Sequence, residues 1–199
     1  FGSRSITNFR DRLVGGGARP NMFEVNIQLP AGVNGLNDFA NDIRFMVKAA
    51  EIPAANIGNI PVPFRGRVLP VAGDRTFDPW TVTVINDVDF TIRTAFERWM
   101  NLINKHEDNA GLTNSNDYQR DVFVRQLGRS SLGGSTPTSA TQVPVLKQYR
   151  FYSVFPTNVS DIPLSYDSSD SIEEFTVEMQ VQWWDALNPD GTTQLGTNS

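Results

Sequence analysis

Three stretches of the chain alternate apolar and polar residues with a period of two. In FEVNIQL, Phe23, Val25, Ile27 and Leu29 alternate with Glu24, Asn26 and Gln28. WTVTV sets Trp80, Val82 and Val84 against Thr81 and Thr83. The longest stretch, EFTVEMQVQWW, places Phe175, Val177, Met179, Val181 and Trp183 on one face, with Glu174, Thr176, Glu178, Gln180 and Gln182 on the other. Successive strand residues point to opposite sides, so these patterns predict strands with one buried and one wet face, as in antiparallel sheets. Weaker strand patterns cover 42–51, 60–72, 118–127 and 146–156.

One segment has the helical period instead. In DFTIRTAFERWMNLIN, Ile92, Ala95, Phe96, Trp99, Leu102 and Ile103 fall on a single stripe, with Arg93, Glu97, Arg98 and Asn101 opposite. Arg93 and Glu97 have the i,i+4 spacing of a weak ion pair, and Asp87 and Asp89 precede the first turn, where carboxylates cap free amides. This helix is expected to lay its stripe on a sheet.

The connecting segments complete a single α+β domain spanning 1–199. Residues 1–20 read as an N-terminal arm, hinged at VGGGARP (14–20), and 188–199 as a C-terminal tail. Gly128 to Pro144 holds 12 Gly, Ser, Thr or Pro among 17 residues and reads as a surface insertion. Prolines 53, 61, 63 and 70 lack the donor a central strand needs, so 52–76 reads as a hairpin that projects outward.

Composition narrows the chemistry. With no cysteine among 199 residues, disulfides and thiolate catalysis are excluded, which fits assembly in a reducing cytoplasm. His106 is the single histidine, in the polar segment INKHEDNAG past the helix, with no nucleophile motif nearby. No apolar run approaches the ~18 residues of a membrane-spanning helix, so membrane insertion is not expected. The net charge of −5 is uneven: +3 over residues 1–20, balanced over 21–158, and −8 over 159–199. Opposite ends of this kind can attract each other between copies.

The motif-like stretches carry little chemistry. VGGGARP lacks the Gly-Lys-Ser/Thr ending of a phosphate loop, and DSSDSIEE (167–174) lacks the spacing and glycine of a calcium loop. Phe151, Tyr152 and Phe155 near Arg150 can stack on bases, but their strand has little other basic charge and reads as sheet core. The chain is expected to be no enzyme and to hold no metal or cofactor.

Larger blocks are more specific. GGARPNMFEVNI (16–27), KAAEIPAANIGNIPVPFRGR (48–67) and VAGDRTFDPWTVTVIND (71–87) closely resemble the tail tube proteins of contractile-tailed, T-even-like bacteriophages. YQRDVFVRQL (118–127), FPTNVSDIPLSYDS (155–168) and IEEFTVEMQVQWWD (172–185) fit the same family in the same order, whereas 30–41, 128–144 and the C-terminal tail look like additions. The resemblance implies a mainly β fold, an antiparallel sandwich or barrel with one flanking helix. It implies six-membered rings stacked into the inner tube of the tail, with sheath, baseplate and tail terminator proteins as partners. Double-stranded DNA passes through such a tube without specific binding. It also implies a virion protein assembled in the host cytoplasm, whose long early hairpin contacts neighbouring copies.

Two sets of residues follow as candidates. Arg65, Arg67, Asp74 and Arg75, in the proline-punctuated hairpin, are expected to contact other subunits. Glu174, Thr176, Glu178, Gln180 and Gln182, a long polar face without a basic residue, are expected to line the channel, since a conduit for DNA must not hold phosphate. The alternatives are the inner tube of a phage-derived injection system with protein cargo, and a monomeric β-sandwich binding module using Trp183 and Trp184.

Overall fold

The alternation over residues 80–85 and 174–180 becomes two adjacent strands of a mainly β, antiparallel fold with one long helix. The computed structural model describes residues 6, 18–33, 43–44, 46–52, 54–128, 144–167 and 171–191. Most of the expected arm, the 34–41 part of 30–41, nearly all of the 128–144 insertion, the end of the tail, residues 14–17 of VGGGARP and residues 168–170 of DSSDSIEE lie outside the described residues.

The strands are β1 (Phe23–Ile27), β2 (Val47–Ala50), β3 (Ala55–Phe64), β4 (Arg67–Phe77), β5 (Trp80–Ile85), β6 (Arg120–Leu127), β7 (Val145–Val159), β8 (Glu174–Gln180) and β9 (Trp183–Leu187). The helices that lie wholly within the described residues are α1 (Thr91–Ile103) and the short α2 (Ser115–Tyr118). Two compact units compose the chain: 26–122 with 151–184, and 1–25 with 123–150 and 185–199. Strands β1, β6, β7 and β9 each run through both.

In the larger unit the strand order is β7-β8-β5-β2, every pair antiparallel. Trp80 pairs with Met179, Val82 with Val177 and Val84 with Phe175, and all six are buried. Trp80 stacks on Phe151 with ring centres 5.1 Å apart, and its indole N–H donates to the Glu51 carbonyl at 2.6 Å. Helix α1 buries Ile92, Ala95, Phe96 and Trp99 completely, a contribution of about 1.5–3 kcal/mol for each large side chain. The Trp99 indole donates to the Tyr118 carbonyl at 2.7 Å. Arg93 ties the helix to the sheet: its guanidinium lies 5.5 Å from the Phe175 ring and donates to the Ser160 carbonyl and to Glu97. At the helix start Asp87 accepts from the Thr91 amide at 3.4 Å, after Phe90 turns the chain with φ 54°. Exposed His106 follows the helix.

In the smaller unit the order is β1-β6-β7. Arg125 on β6 sits between Glu24 on β1, at 3.8 Å, and the Gln148 side chain on β7, at 3.3 Å. The Gln126 side chain and the Leu127 amide hold the turn at Arg19 and Met22.

The structure departs from the sequence expectations in four places. EFTVEMQVQWW is not one strand: β8 ends at Gln180, and after Val181 and Gln182 the chain pairs with β7 as β9. There the Gln182 amide donates to the Tyr152 carbonyl, and Trp183 stacks on Tyr152 with ring centres 3.7 Å apart, so Trp183 remains 43% exposed rather than entering the core. Among the described residues of 42–51, Val47–Ala50 is strand, and Ile43, Arg44 and Met46 are helical. Ile43 before the strand and Val47 at its start are both buried. The 60–72 pattern divides into the two arms of a hairpin, and β7 is longer than expected, with a change of parity at Ser153. Ser153 has φ 54°, its amide donates to Asp121 at 3.3 Å, and Phe151 and Val154, three apart, are both buried.

Candidate assembly interfaces

The hairpin β3–β4 is the most exposed element of the larger unit. Arg65 and Gly66 form its two-residue turn with φ of 44° and 80°, the positive values that match the twist of a tight hairpin. Phe64 and Arg67 close the turn, and the ladder then pairs Pro63 with Val68, Val62 with Leu69, Pro61 with Pro70 and Ile60 with Val71. A register shift between Ile57 and Asn59 places Gly58 and Gly73 close together. A β-carbon on Gly73 would lie 3.1 Å from the Gly58 carbonyl oxygen.

Cross-strand partners share a face, so Ile60, Val71, Val62 and Leu69 lie on one side, and Pro61, Pro70, Pro63 and Val68 on the other. Every residue of β3 is exposed, and so is all of β4 except Gly73 and Phe77. Phe64, Val68 and Leu69 keep 65%, 64% and 59% of their surface in water. An isolated two-stranded hairpin is marginal in water, and contiguous apolar surface marks an interaction site.

The four residues expected at subunit contacts divide into two groups. Arg65 and Arg67 sit at the tip, with the Arg65 guanidinium 5.4 Å from the Phe64 ring. Asp74 and Arg75 lie toward the base, beside the register shift, with Arg75 opposite Ile57. The eight residue steps from 67 to 75 span roughly 26 Å at strand rise, so tip and base can serve different contacts.

The second surface is the face of the larger unit's sheet opposite its buried side chains. Thr81 pairs with Glu178, Thr83 with Thr176, and Ile85 with Glu174, while Gln180 is opposite Phe155 and Asn158 is opposite Glu178. Glu174, Thr176, Glu178 and Gln180 therefore share one face, whereas Gln182 lies exposed in the break after β8. Lys48 also reaches this face, its ammonium 2.5 Å from the Glu174 carboxylate.

Sequence reading missed Lys48 because the contact spans 126 positions and no local pattern announces it. It also passed over the hairpin aliphatics. Their signal was present: prolines flank apolar residues on both sides of the ladder, which no wet-faced strand shows.

A family model described as phage tail tube protein matches residues 18–186. Tail tube protein gp19 of Enterobacteria phage T4 is 32% identical over 168 residues, 84% of this chain and 91% of that protein. The tail tube protein of Serratia phage KSP90 is 27% identical, covering 88% of this chain and 93% of its own length. In fold, the chain is similar to one from the sheath-tube complex of the PVC extracellular contractile injection system, with a TM-score of 0.56, 12% identity, and coverage of 94% and 99%. With the match running from β1 almost to the end of β9, this chain belongs to the phage tail tube protein family, the structural tube proteins of contractile virion tails.

Proposed function

We propose that six copies of this chain close into a ring and that rings stack into the inner tube of a contractile tail, a conduit for double-stranded DNA. The exposed hairpin carries the reading. Its apolar side chains lie open on both faces, and burying them against neighbouring copies is the physical return for assembling. Head-to-tail contacts that close give a ring, and those that do not close give a filament. Arg65 and Arg67 at the tip, with Asp74 and Arg75 at the base, supply polar contacts between subunits or rings. Tail sheath, baseplate and terminator proteins are its partners in the tail, and its role is architectural rather than catalytic.

The free sheet face with Glu174, Thr176, Glu178 and Gln180 lines the lumen, where acids and neutral polar groups leave phosphate unbound. Its opposite face is buried, so it is a ready wall surface. The named sequence relatives are phage proteins, which favours DNA over protein as cargo. A monomeric module with Trp183 and Trp184 as an open platform fits less well, since Trp183 is stacked on Tyr152 and Trp184 meets Phe77 edge-on.

Negative-stain electron microscopy over a concentration series, with and without a nucleating baseplate, tests the proposal. Stacked rings with a central hole are expected. Monomers under every condition would refute it.

A further inference from the structure

Lys48 is the one lysine or arginine in β2, β5, β8 and residues 151–159 of β7. It occupies the extra position of a β-bulge: Val47 pairs with Val84 and Ala49 with Thr83, leaving Lys48 unmatched between them. Bulges re-aim side chains. This one keeps Val47 buried with Val84 while Lys48 and Ala49, in succession, are both exposed. From the edge strand the lysine crosses β5 and meets Glu174 on β8, two strand spacings away, or roughly 10 Å.

An ion pair this open, with side chains 55% and 36% exposed, adds little to stability. Its consequence is electrostatic. A free ammonium on a wall facing a duplex releases counterions from phosphate and adds affinity, once for every copy in the ring. Paired with Glu174, the ammonium has its charge offset by a carboxylate, so a phosphate gains less by approaching it. Glu178 lies on the same face, and among the described residues it has no ion-pair partner.

We propose that Glu174 is a positioning residue that holds the Lys48 ammonium on the sheet and so keeps this face from binding nucleic-acid phosphate. This rests on the reading of the face as the wall of a DNA conduit. The two acids then differ in role: Glu178 supplies repulsion, whereas Glu174 occupies a cation.

The test compares assembled tubes of wild type, Glu174→Gln, Glu178→Gln and the Lys48→Gln/Glu174→Gln double variant, each co-sedimented with a short labelled DNA duplex. Glu174→Gln and Glu178→Gln change the net charge equally, but only the first frees Lys48. Glu174→Gln tubes are expected to retain duplex at 50 mM salt, and two simultaneous phosphate contacts would lose about tenfold of that affinity by 200 mM. Wild type, Glu178→Gln and the double variant are expected to stay at background. Equal retention by Glu174→Gln and Glu178→Gln would overturn the proposal, since net charge alone would then decide. Retention by the double variant, or none by Glu174→Gln, would overturn it as well. Fluorescence anisotropy of the unassembled proteins makes the same comparison for a variant that folds without polymerising. Failure of the wild-type chain to form tubes is a separate result: it removes the conduit reading, and this inference with it.

Discussion

Pro61 lies directly across from Pro70 in the hairpin ladder. Neither residue can donate a backbone hydrogen bond, so the pair fits only where the amides would point away from the hairpin. Pro63, two residues on and opposite Val68, has the same phase. The prolines thus leave the internal ladder intact while removing donors from the outer edges of both arms. Open edges invite pairing with any passing strand, and proline is one of the devices that blunt them. The hairpin is free to bury its faces but is protected from zipping edge to edge.

Restoring a donor should expose that hazard. Pro61→Val and Pro70→Val are expected to keep the fold but to give irregular aggregates at protein concentrations where wild type stays soluble or forms ordered tubes. Light scattering followed by electron microscopy checks this. Ordered tubes with unchanged solubility would show that the outer edges are covered in some other way.

The apolar faces give a second expectation. Val62→Asp and Leu69→Asp place a charge where both wild-type side chains are exposed in the single chain. Surface changes of this kind shift stability by within about 0.5 kcal/mol, so the melting temperature should hardly move. Tube formation, in contrast, should be lost. A variant that melts as wild type and still assembles would remove the hairpin from the interface.

The base of the hairpin is probed separately from the tip. Asp74→Ala and Arg75→Ala are expected to raise the concentration needed for assembly, as are Arg65→Ala and Arg67→Ala. Because the two groups are far apart along the ladder, a double variant joining one from each should add their effects. Tubes forming as in wild type for all four would place the polar contacts elsewhere.

The core makes a prediction about stability alone. Phe96→Ala should destabilise the larger unit by about 3–5 kcal/mol, the usual range for emptying a buried aromatic site. Trp99→Phe should cost about 1–3 kcal/mol, since it strands the Tyr118 carbonyl that the indole now satisfies. Urea denaturation gives both values. A Trp99→Phe variant as stable as wild type would mean that water reaches this carbonyl.

Local period was enough to read much of this protein. The alternation in Trp80–Ile85 and Glu174–Gln180 and the stripe from Ile92 to Trp99 appear in the structure with the buried faces expected, because each depends on neighbours two, three or four residues away. The hairpin was legible for a similar reason: several prolines close together disfavour a central strand, whereas the lone Pro156 is accommodated in β7 beside a bulge. Tertiary structure decided what depends on distant partners. Tyr152 and β7 draw Trp183 out of the line of β8, and Asp121 receives the Ser153 amide where β7 changes parity. Lys48 and Glu174 meet across an intervening strand although 126 positions separate them. Sequence period records which side of a strand is dry, but only the folded sheet determines which distant charge arrives on its wet side.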